Sequence, residues 1–334
     1  MPKIFKQQKC RTEKVDKRTR LSFMTSRRFI HNEKTINTKF QMFYLSQHLG
    51  SFIPLLANFS EVPHQKTIKK GSSMNATKQV TLITGAASGM GRLAAQRYAK
   101  QGKHIIGLDI NEKGLTETCE GHPNISPYTV DITNFNAVEK MIATIEENEG
   151  QITQLIHCAA IMPLQLLSDQ SVDDIHKVMT INYNGTVNIN KALLPHMQKR
   201  GGGTIVNFAS IAGWVPAMYF GAYDASKFAV VAFTEVLHHE NKNSGIQFCC
   251  VCPPPVATPM LNDVNYRPQI LDYMETVQPH QVIDAMENSI SKKQLFCYPG
   301  KRTWFSILIR RLFPNLPWLF NHMVEKPKAQ LSQS

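Results

Sequence analysis

The sequence lacks the cysteine patterns that mark secreted domains and zinc sites. Its seven cysteines are odd in number, none has zinc-type spacing, and no secretory signal peptide is apparent before them. Three lie in the apolar run "IQFCCVC", where cysteine acts as a small hydrophobic residue of a buried strand. These absences argue against a disulfide framework, favour a reducing compartment and leave no predicted metal site.

Beyond residue 78 the sequence also lacks any excess of positive charge. The formal net charge is +12, but residues 1–78 hold 16 of the 37 Lys and Arg and 4 of the 25 Asp and Glu. The remainder therefore holds 21 of each, so the basic pI describes the beginning of the chain and not its main body. We predict no nucleic-acid partner.

Residues 1–77 have no helical or strand period, and we interpret them as a basic, poorly structured leader. Residues 40–60 contain no Asp, Glu, Lys or Arg, which would suit a membrane anchor. Their polar residues, glycine and proline argue against that interpretation. Glu13 and Asp16 weaken a mitochondrial presequence without excluding it. A third hypothesis places the true start of translation at Met74, since the preceding "KKG" can be encoded as a ribosome-binding purine run. An intact mass beginning at Met1 would contradict that hypothesis.

From residue 79 the pattern predicts a strand, a glycine-rich turn, a helix and a second strand. The turn "GAASGMG" contains Gly85, Gly89 and Gly91, which let the main chain approach a pyrophosphate at the helix N-terminus. Asp109 ends the second strand, 24 residues after Gly85, where a carboxylate accepts hydrogen bonds from ribose hydroxyls and repels a 2′-phosphate. The spacing therefore indicates dinucleotide binding and favours NAD(H) over NADP(H).

The alternation of strands and helices continues, with one long helix over residues 171–198, to the strand "IQFCCVC". This pattern predicts an α/β fold, a Rossmann-type doubly wound parallel sheet flanked by helices. Ligands of such sheets bind at the carboxyl ends of the strands. The strand ends hold the glycine turn, Asp109, Asp131, Ala159, Ser210 and the stretch after Cys252.

The stretch "GAYDASKFAV" places Tyr223 and Lys227 four residues apart at the start of a predicted helix. Residues at this spacing lie on one helical face, so a phenol and an ammonium would be held side by side. A neighbouring positive charge favours the phenolate, and we expect the pKa of Tyr223 to fall from its ordinary value of about 10. The pair would then serve as a proton donor and acceptor.

Taken together, these motifs resemble the short-chain dehydrogenase/reductase family in its single-domain branch. The resemblance covers about residues 78 to 300 and implies a single catalytic domain over that range. Its motifs are T-G-x-x-x-G-x-G from Thr84 to Gly91, the acid at Asp109, "DIT" from Asp131, Asn182, Ser210, Y-x-x-x-K at Tyr223 and Lys227, and P-x-P-V-A-T from Pro253 to Thr258.

The resemblance implies a catalytic set of Asn182, Ser210, Tyr223 and Lys227. Tyr223 would exchange a proton with the substrate oxygen, and Ser210 would hydrogen-bond that oxygen and stabilise its developing charge. Lys227 would lower the tyrosine pKa and hold the nicotinamide ribose, while Asn182 would hold a water that relays protons to Lys227.

The resemblance also implies a set of cofactor-binding residues, with Asp131 at the adenine and Thr258 at the carboxamide and phosphates. The set is Thr84, Gly85, Ser88, Gly89, Met90, Gly91, Asp109, Asp131, Ala159, Tyr223, Lys227, Val256 and Thr258.

Two stretches depart from the family pattern. The family has N-N-A-G where this chain has His157, Cys158, Ala159 and Ala160, which removes side-chain amides and adds a methyl group. We expect His157 to be a satisfied core residue and Cys158 to fill space. Pro254 replaces a glycine often found there and stiffens the loop without removing a catalytic group.

The predicted substrate is a small apolar alcohol or ketone, of fatty, steroid-like or retinoid-like character. The segment between Ser210 and Lys227 contains no Arg or Lys, and neither does the segment between Thr258 and Arg267. Both segments are apolar, although their residues could equally be core or subunit interface. The apolar candidates are Trp214, Val215, Met218, Tyr219, Met260 and Met274.

Residues 301–334 form a predicted C-terminal helix and tail. Apolar residues between 304 and 313 recur at helical spacing with basic residues on another face, and Pro314 ends the helix. This pattern fits an in-plane membrane helix over residues 301–320, and equally a lid or a dimer contact. We predict a cytoplasmic protein, or one peripheral at a membrane, and by resemblance a homodimer or homotetramer.

The predicted function is an NAD(H)-dependent oxidoreductase that interconverts a secondary alcohol and a ketone. Two other classes stay open, because fold alone does not fix function. One is a catalytically silent NAD(H)-binding regulator, and the other is a membrane-docked interaction protein. The complete catalytic set argues against both, since a mere binder needs no activated tyrosine.

Overall fold

The computed structural model describes residues 78–264 and 266–325. The leader, with its uncharged stretch and the hypothesis of a start at Met74, lies outside the described residues. So do residues 326–334 of the predicted C-terminal tail.

Seven parallel strands form one sheet with the order β3-β2-β1-β4-β5-β6-β7. The order reverses direction beside β1, which is the topology of a doubly wound α/β fold and confirms the predicted fold class. The strands are β1 (Gln79–Thr84), β2 (His104–Asp109), β3 (Ile125–Thr129), β4 (Gln151–His157), β5 (Gly203–Phe208), β6 (Ile246–Val251) and β7 (Phe296–Cys297).

Helices cover both faces of this sheet, because its central strands are apolar on both faces. On one face, Ala95 of the first helix packs in a cluster with Met286 of the eighth. On the other face, Ile142 packs in a cluster with Leu193. The helices are α1 (Gly89–Lys100), α2 (Glu112–Cys119), α3 (Phe135–Asn148), α4 (Val172–Met179), α5 (Gly185–Arg200), α6 (Gly221–Glu240), α7 (Pro259–Asn262), α8 (Pro279–Ser291), α9 (Thr303–Leu312) and α10 (Leu316–Val324).

Two helical regions differ from the sequence-based expectation. The long helix predicted after residue 171 contains a π-helical turn over Thr180–Asn184, which joins α4 to α5. The C-terminal segment forms two helices and not one, since a second helix, α10, begins shortly after Pro314 with Pro317 in its first turn. Within the described part of the chain, no helix is both long enough and apolar enough to cross a bilayer.

Candidate active site

A cavity of about 370 Å³ lies at the carboxyl ends of the strands. Its lining includes twelve of the thirteen predicted cofactor-binding residues and three of the four predicted catalytic ones. The two that lie behind the wall are Thr84 and Asn182, both buried. The topology thus brings the predicted site residues together at one place, as expected for the strand ends of a doubly wound sheet.

The glycine-rich turn after β1 is packed too closely for side chains. Gly85 has a φ of 68°, and a Cβ there would lie 2.8 Å from the backbone nitrogen of Ala159. A Cβ at Gly91 would lie 2.1 Å from the carbonyl oxygen of Gly85. These contacts hold the turn against the end of β4 and keep its main chain exposed to the cavity.

The N-terminus of α1 fits an anionic group. Ser88 is the N-cap residue, its side chain makes no capping hydrogen bond, and the first turn of α1 holds no acid. The first amides of a helix have no intrahelical acceptor, and the helix dipole favours negative charge there. The donors present therefore suit a pyrophosphate, in agreement with the cofactor class that the sequence predicts.

Asp109 stands at the end of β2 with both carboxylate oxygens fixed. Its Oδ2 accepts a hydrogen bond from the Ala87 backbone N–H at 3.0 Å, and its Oδ1 accepts one from Asn111 at 3.0 Å. Each oxygen keeps a lone pair for a further donor, such as a ribose hydroxyl. At the end of β3, the Oδ1 of Asp131 accepts from the Thr133 backbone N–H at 2.8 Å.

His157 is a buried link between β1 and α5. The Thr84 hydroxyl lies 2.7 Å from its Nδ1, and the Thr186 hydroxyl lies 2.9 Å from its Nε2. Burial lowers the pKa of His157 to about 3, so the imidazole is neutral. Thr186 donates its own proton to the Asn182 carbonyl, so the imidazole donates through Nε2 and accepts at Nδ1. This arrangement agrees with the expected satisfied core histidine.

The hydrogen bonds of the Thr84 hydroxyl explain why this side chain lies outside the cavity lining. Its hydroxyl oxygen accepts hydrogen bonds from the backbone N–H groups of Cys158 and Ala159, at 3.2 and 3.3 Å. The Thr84 side chain therefore fixes the end of β4, which forms part of the cavity wall.

Asn182 lies in the π-helical turn and is clamped to the loop after β4. Its Oδ1 accepts from the Ile161 N–H at 2.8 Å, and its Nδ2 donates to the Ile161 carbonyl at 2.9 Å. The same Nδ2 donates to the Ser226 hydroxyl at 3.0 Å, and that hydroxyl donates to the Tyr223 carbonyl at 2.7 Å. Its side chain therefore ties the loop after β4 to the helix that carries Tyr223.

Ser210, Tyr223 and Lys227 lie together, each at most 9% exposed. The Lys227 ammonium donates to the Phe208 carbonyl at 2.9 Å and lies 5.6 Å from the centre of the Tyr223 ring. Ser210 follows β5, and its Oγ accepts from the Ala212 N–H at 3.1 Å. The helical spacing thus places the phenol and the ammonium side by side, as the sequence predicts.

The pKa of Tyr223 does not fall as expected but rises. Burial raises the pKa of the Tyr223 hydroxyl well above its ordinary value, the Ser210 hydroxyl lowers it, and the Asp224 charge raises it. Burial also lowers the pKa of Lys227 to about 8. Desolvation opposes the charged form of both groups and is the largest effect on each.

Asp224 lines the cavity beside Tyr223 and is a site residue that sequence reasoning missed. Its Oδ2 accepts from the Ala217 N–H at 2.9 Å, while its buried Oδ1 has no donor among the residues that the structure describes. Burial raises the pKa of this carboxyl to about 8, and the Ala217 hydrogen bond lowers it. The sequence did offer one signal for Asp224: it is a charged residue directly after Tyr223, on a helix that must pack against the sheet.

We expect Asp224→Asn to remove a pH dependence of stability. Between the unfolded pKa of 3.8 and the folded value of about 8, the native state binds one proton more than the unfolded state. The Asp224 contribution is full below pH 4 and is lost as pH rises towards 8, by about 1.4 kcal/mol per pH unit. Urea unfolding at pH 4, 6 and 8 measures this change. The Asp224→Asn variant should gain on the wild type as pH rises, whereas a variant of the exposed Asp173, Asp173→Asn, should not. Parallel curves for Asp224→Asn and wild type would contradict the shift.

The substrate end of the cavity is apolar, but only half of the predicted residues line it. Val215, Met260 and Met274 do so. Trp214 instead packs edge-on against Phe296, with its ring centre 5.4 Å away, and belongs to the core. The other two residues that lie outside the lining are Met218 and Tyr219.

The chain belongs to the short chain dehydrogenase family, whose sequence model matches residues 79–269. It is 33% identical over 232 residues to 17-beta-hydroxysteroid dehydrogenase 13 from Mus musculus, covering 66% of this chain and 74% of that protein. It is 28% identical over 249 residues to epidermal retinol dehydrogenase 2 from Homo sapiens, covering 72% and 80%.

A solved structure supports the fold. A short chain dehydrogenase/reductase from Burkholderia phymatum, in complex with NAD, superposes with a TM-score of 0.65 at 22% identity. The match covers 77% of this chain and 100% of that one. The predicted family and the prediction of an enzyme, a short-chain dehydrogenase acting on CH–OH groups with a nicotinamide cofactor, are therefore confirmed.

Proposed function

We propose that this oxidoreductase interconverts a secondary alcohol and a ketone on an apolar substrate with NAD(H). The catalytic set is Asn182, Ser210, Tyr223 and Lys227, in a catalytic domain over residues 78–300. The observation that carries the proposal is the meeting of the buried Ser210–Tyr223–Lys227 group and the glycine turn in one cavity. Such a cavity holds a cofactor at one end and a reacting CH–OH group at the other.

Each residue has a role that its position supports. Tyr223 gives a proton to a carbonyl oxygen or takes one from an alcohol, and Ser210 hydrogen-bonds the same oxygen. Lys227 provides the positive charge beside the phenol, and Asn182 fixes the wall behind it. A bound nicotinamide supplies the hydride acceptor or donor.

Preference for NAD(H) is supported by the surroundings of Asp109. A carboxylate at this position repels a 2′-phosphate. The guanidinium of Arg92, close to the same turn, is engaged by Glu117 at 2.9 Å and by the carbonyls of Ala87 and Gly114. No basic group of the described cavity lining stands at this end, since Lys227 is its one basic residue.

We expect Asp109→Asn to weaken the preference for NAD⁺. Loss of hydrogen bonds to a charged acceptor costs about 1.5–3 kcal/mol, so KM for NAD⁺ should rise about 10- to 100-fold. Loss of the negative charge should lower KM for NADP⁺. Steady-state kinetics with both cofactors measure the ratio, with Asp131→Asn as the matched control at the next strand end. An unchanged ratio in Asp109→Asn would remove Asp109 from cofactor selection.

An apolar substrate is supported by the cavity wall and by the names of the relatives, which are a hydroxysteroid and a retinol dehydrogenase. The test is NADH formation, followed at 340 nm, with a panel of secondary alcohols of increasing apolar size. Turnover that increases with apolar size supports the proposal. Binding of NAD⁺ without turnover of any alcohol would favour a regulator on the same fold.

Self-assembly and location stay predictions. We propose a homodimer or homotetramer, in the cytoplasm or at the surface of a membrane. Family membership supports an oligomer because short-chain dehydrogenases are commonly oligomeric, and sedimentation of the purified protein measures its size directly.

A further inference from the structure

The last two helices present a large exposed apolar surface. Eight apolar side chains of α9, α10 and the turn between them are between 40% and 71% exposed. Surfaces of this kind mark sites of interaction with a protein or a membrane. We call them the C-terminal apolar surface: Trp304, Phe305, Leu312, Phe313, Leu316, Leu319, Phe320 and Met323.

The outward direction of α10 is fixed by buried polar contacts on its inner side. Asn321 is 3% exposed, and its Oδ1 accepts a hydrogen bond from the Met218 N–H at 3.2 Å. Glu325 is 2% exposed, and its Oε1 accepts from the Ile270 N–H at 2.8 Å. At 100° per residue, the exposed apolar residues of α10 fall within one arc on the side away from Asn321. A lid that closed this face inward would have to break both contacts.

The charged residues of the segment that carries this surface are all basic. Residues 301–324 include four Lys or Arg and no Asp or Glu. The carboxylate of Glu275 accepts hydrogen bonds from the backbone N–H groups of Lys301 and Arg302. Apolar and aromatic side chains combined with basic residues suit the interface of an anionic bilayer.

We propose that the C-terminal apolar surface docks on an anionic lipid bilayer and that the apolar substrate reaches the cavity from that bilayer. The surface continues towards the cavity: the Phe320 ring meets the Tyr273 ring edge-on at 5.6 Å, and Tyr273 is 64% exposed. The next residue, Met274, lines the cavity, as does the 37% exposed Met260. A lipid surface on α10 therefore lies beside the apolar wall of the cavity. The second half of the proposal rests on the proposed function, whereas the first half does not.

Flotation of the full chain with vesicles tests the docking. The probes are phosphatidylcholine vesicles with and without 30% phosphatidylserine, the variants Leu319→Ser/Met323→Ser and Lys301→Gln/Arg302→Gln, and wild type. We expect wild type to float with anionic vesicles and not with neutral ones. Each apolar residue lost should weaken binding about tenfold, and each basic residue lost about fivefold.

Matched controls carry the same changes elsewhere. Val172→Ser/Val236→Ser replaces two exposed apolar residues, and Lys242→Gln/Lys292→Gln replaces two exposed lysines. Both should float like wild type. Two results overturn the proposal: no flotation of wild type, or equal flotation of all variants. A third result would also overturn it: a wild-type oligomer that does not float and that the Leu319→Ser/Met323→Ser variant dissociates. In that case a second copy of the chain covers the surface.

Kinetics separate this proposal from the proposed function. For a short water-soluble alcohol, Leu319→Ser/Met323→Ser should keep the wild-type kcat/KM, since neither residue lines the cavity. For a long-chain secondary alcohol carried in anionic vesicles, its rate should fall at least about tenfold. Equal loss on both substrates, or none on the vesicle substrate, overturns the delivery from lipid. Flotation without any turnover would sink the proposed function and leave the docking.

Discussion

Tyr223→Phe should reduce kcat by about 10²- to 10⁴-fold, the range that a positioned acid or base contributes. The phenyl ring keeps the packing of the buried tyrosine and removes only the hydroxyl beside Ser210. Binding of NAD⁺ should persist, because the glycine turn and Asp109 are untouched. Stopped-flow and steady-state rates of NADH formation, with NAD⁺ affinity from calorimetry, separate the two effects.

The matching control is Tyr98→Phe, since Tyr98 is a buried tyrosine of α1 in the core cluster. It should keep kcat within a few-fold of wild type. Burial holds the Tyr223 proton at neutral pH, so carbonyl reduction should be supported there, and alcohol oxidation should increase as pH rises. A Tyr223→Phe variant with wild-type kcat would assign the proton transfer to another group.

Lys227→Met should reduce kcat/KM at least about 100-fold and change how stability depends on pH. The activity loss follows from removing the positive charge 5.6 Å from the Tyr223 ring. The stability effect follows from burial, which lowers the pKa of Lys227 to about 8 from an ordinary 10.5. Burial of Lys227 lowers its pKa and therefore also lowers the stability of the protein when the lysine is charged.

The sign of the stability effect is set by the proton count. Between pH 8 and 10.5 the unfolded lysine binds a proton that the folded lysine has lost, so stability rises with pH. Wild type should gain on Lys227→Met by about 1.4 kcal/mol per pH unit in this window, and the difference should be flat below pH 8. Constant terms, such as the lost hydrogen bond to Phe208, cancel from this slope. Urea unfolding at pH 7.5, 9 and 10.5 measures it, and a flat difference throughout would contradict the lowered pKa.

The sheet and the cofactor turn could be predicted because local pattern and tertiary role coincide there. A strand apolar on both faces, followed by closely spaced glycines and a helix, has few other arrangements. A Cβ added at Gly91 would lie only 2.1 Å from the carbonyl oxygen of Gly85, so packing alone requires glycine there. Helical spacing similarly sufficed to place Tyr223 beside Lys227.

The pKa values could not be predicted, because they depend on burial by distant segments. The spacing of Tyr223 and Lys227 reveals their charges but not the loss of water around both, and this loss reverses the expected direction. Asp224 was missed for the same reason, since its raised pKa depends on how deeply α6 packs. Trp214 was a candidate for the substrate wall, but it packs against Phe296 of β7 and belongs to the core.

The second C-terminal helix depended on tertiary contacts as well. Pro314 correctly indicated the end of one helix, but α10 is held by Asn321 and Glu325, which bind segments more than 50 residues away in sequence. Those two polar residues resemble ordinary surface positions in the sequence. Only their burial shows that the exposed apolar side of α10 is fixed outward.

A single isotope experiment decides whether the cavity is used as proposed. The purified protein is given NAD⁺ and an apolar secondary alcohol that carries deuterium on its carbinol carbon, and the NADH and ketone are analysed by mass spectrometry and NMR. We predict one deuterium at the nicotinamide C4 for each ketone formed, with the signal lost in Tyr223→Phe. Bound NAD⁺ with no deuterium transferred from any alcohol, or transfer that Tyr223→Phe leaves intact, would contradict it.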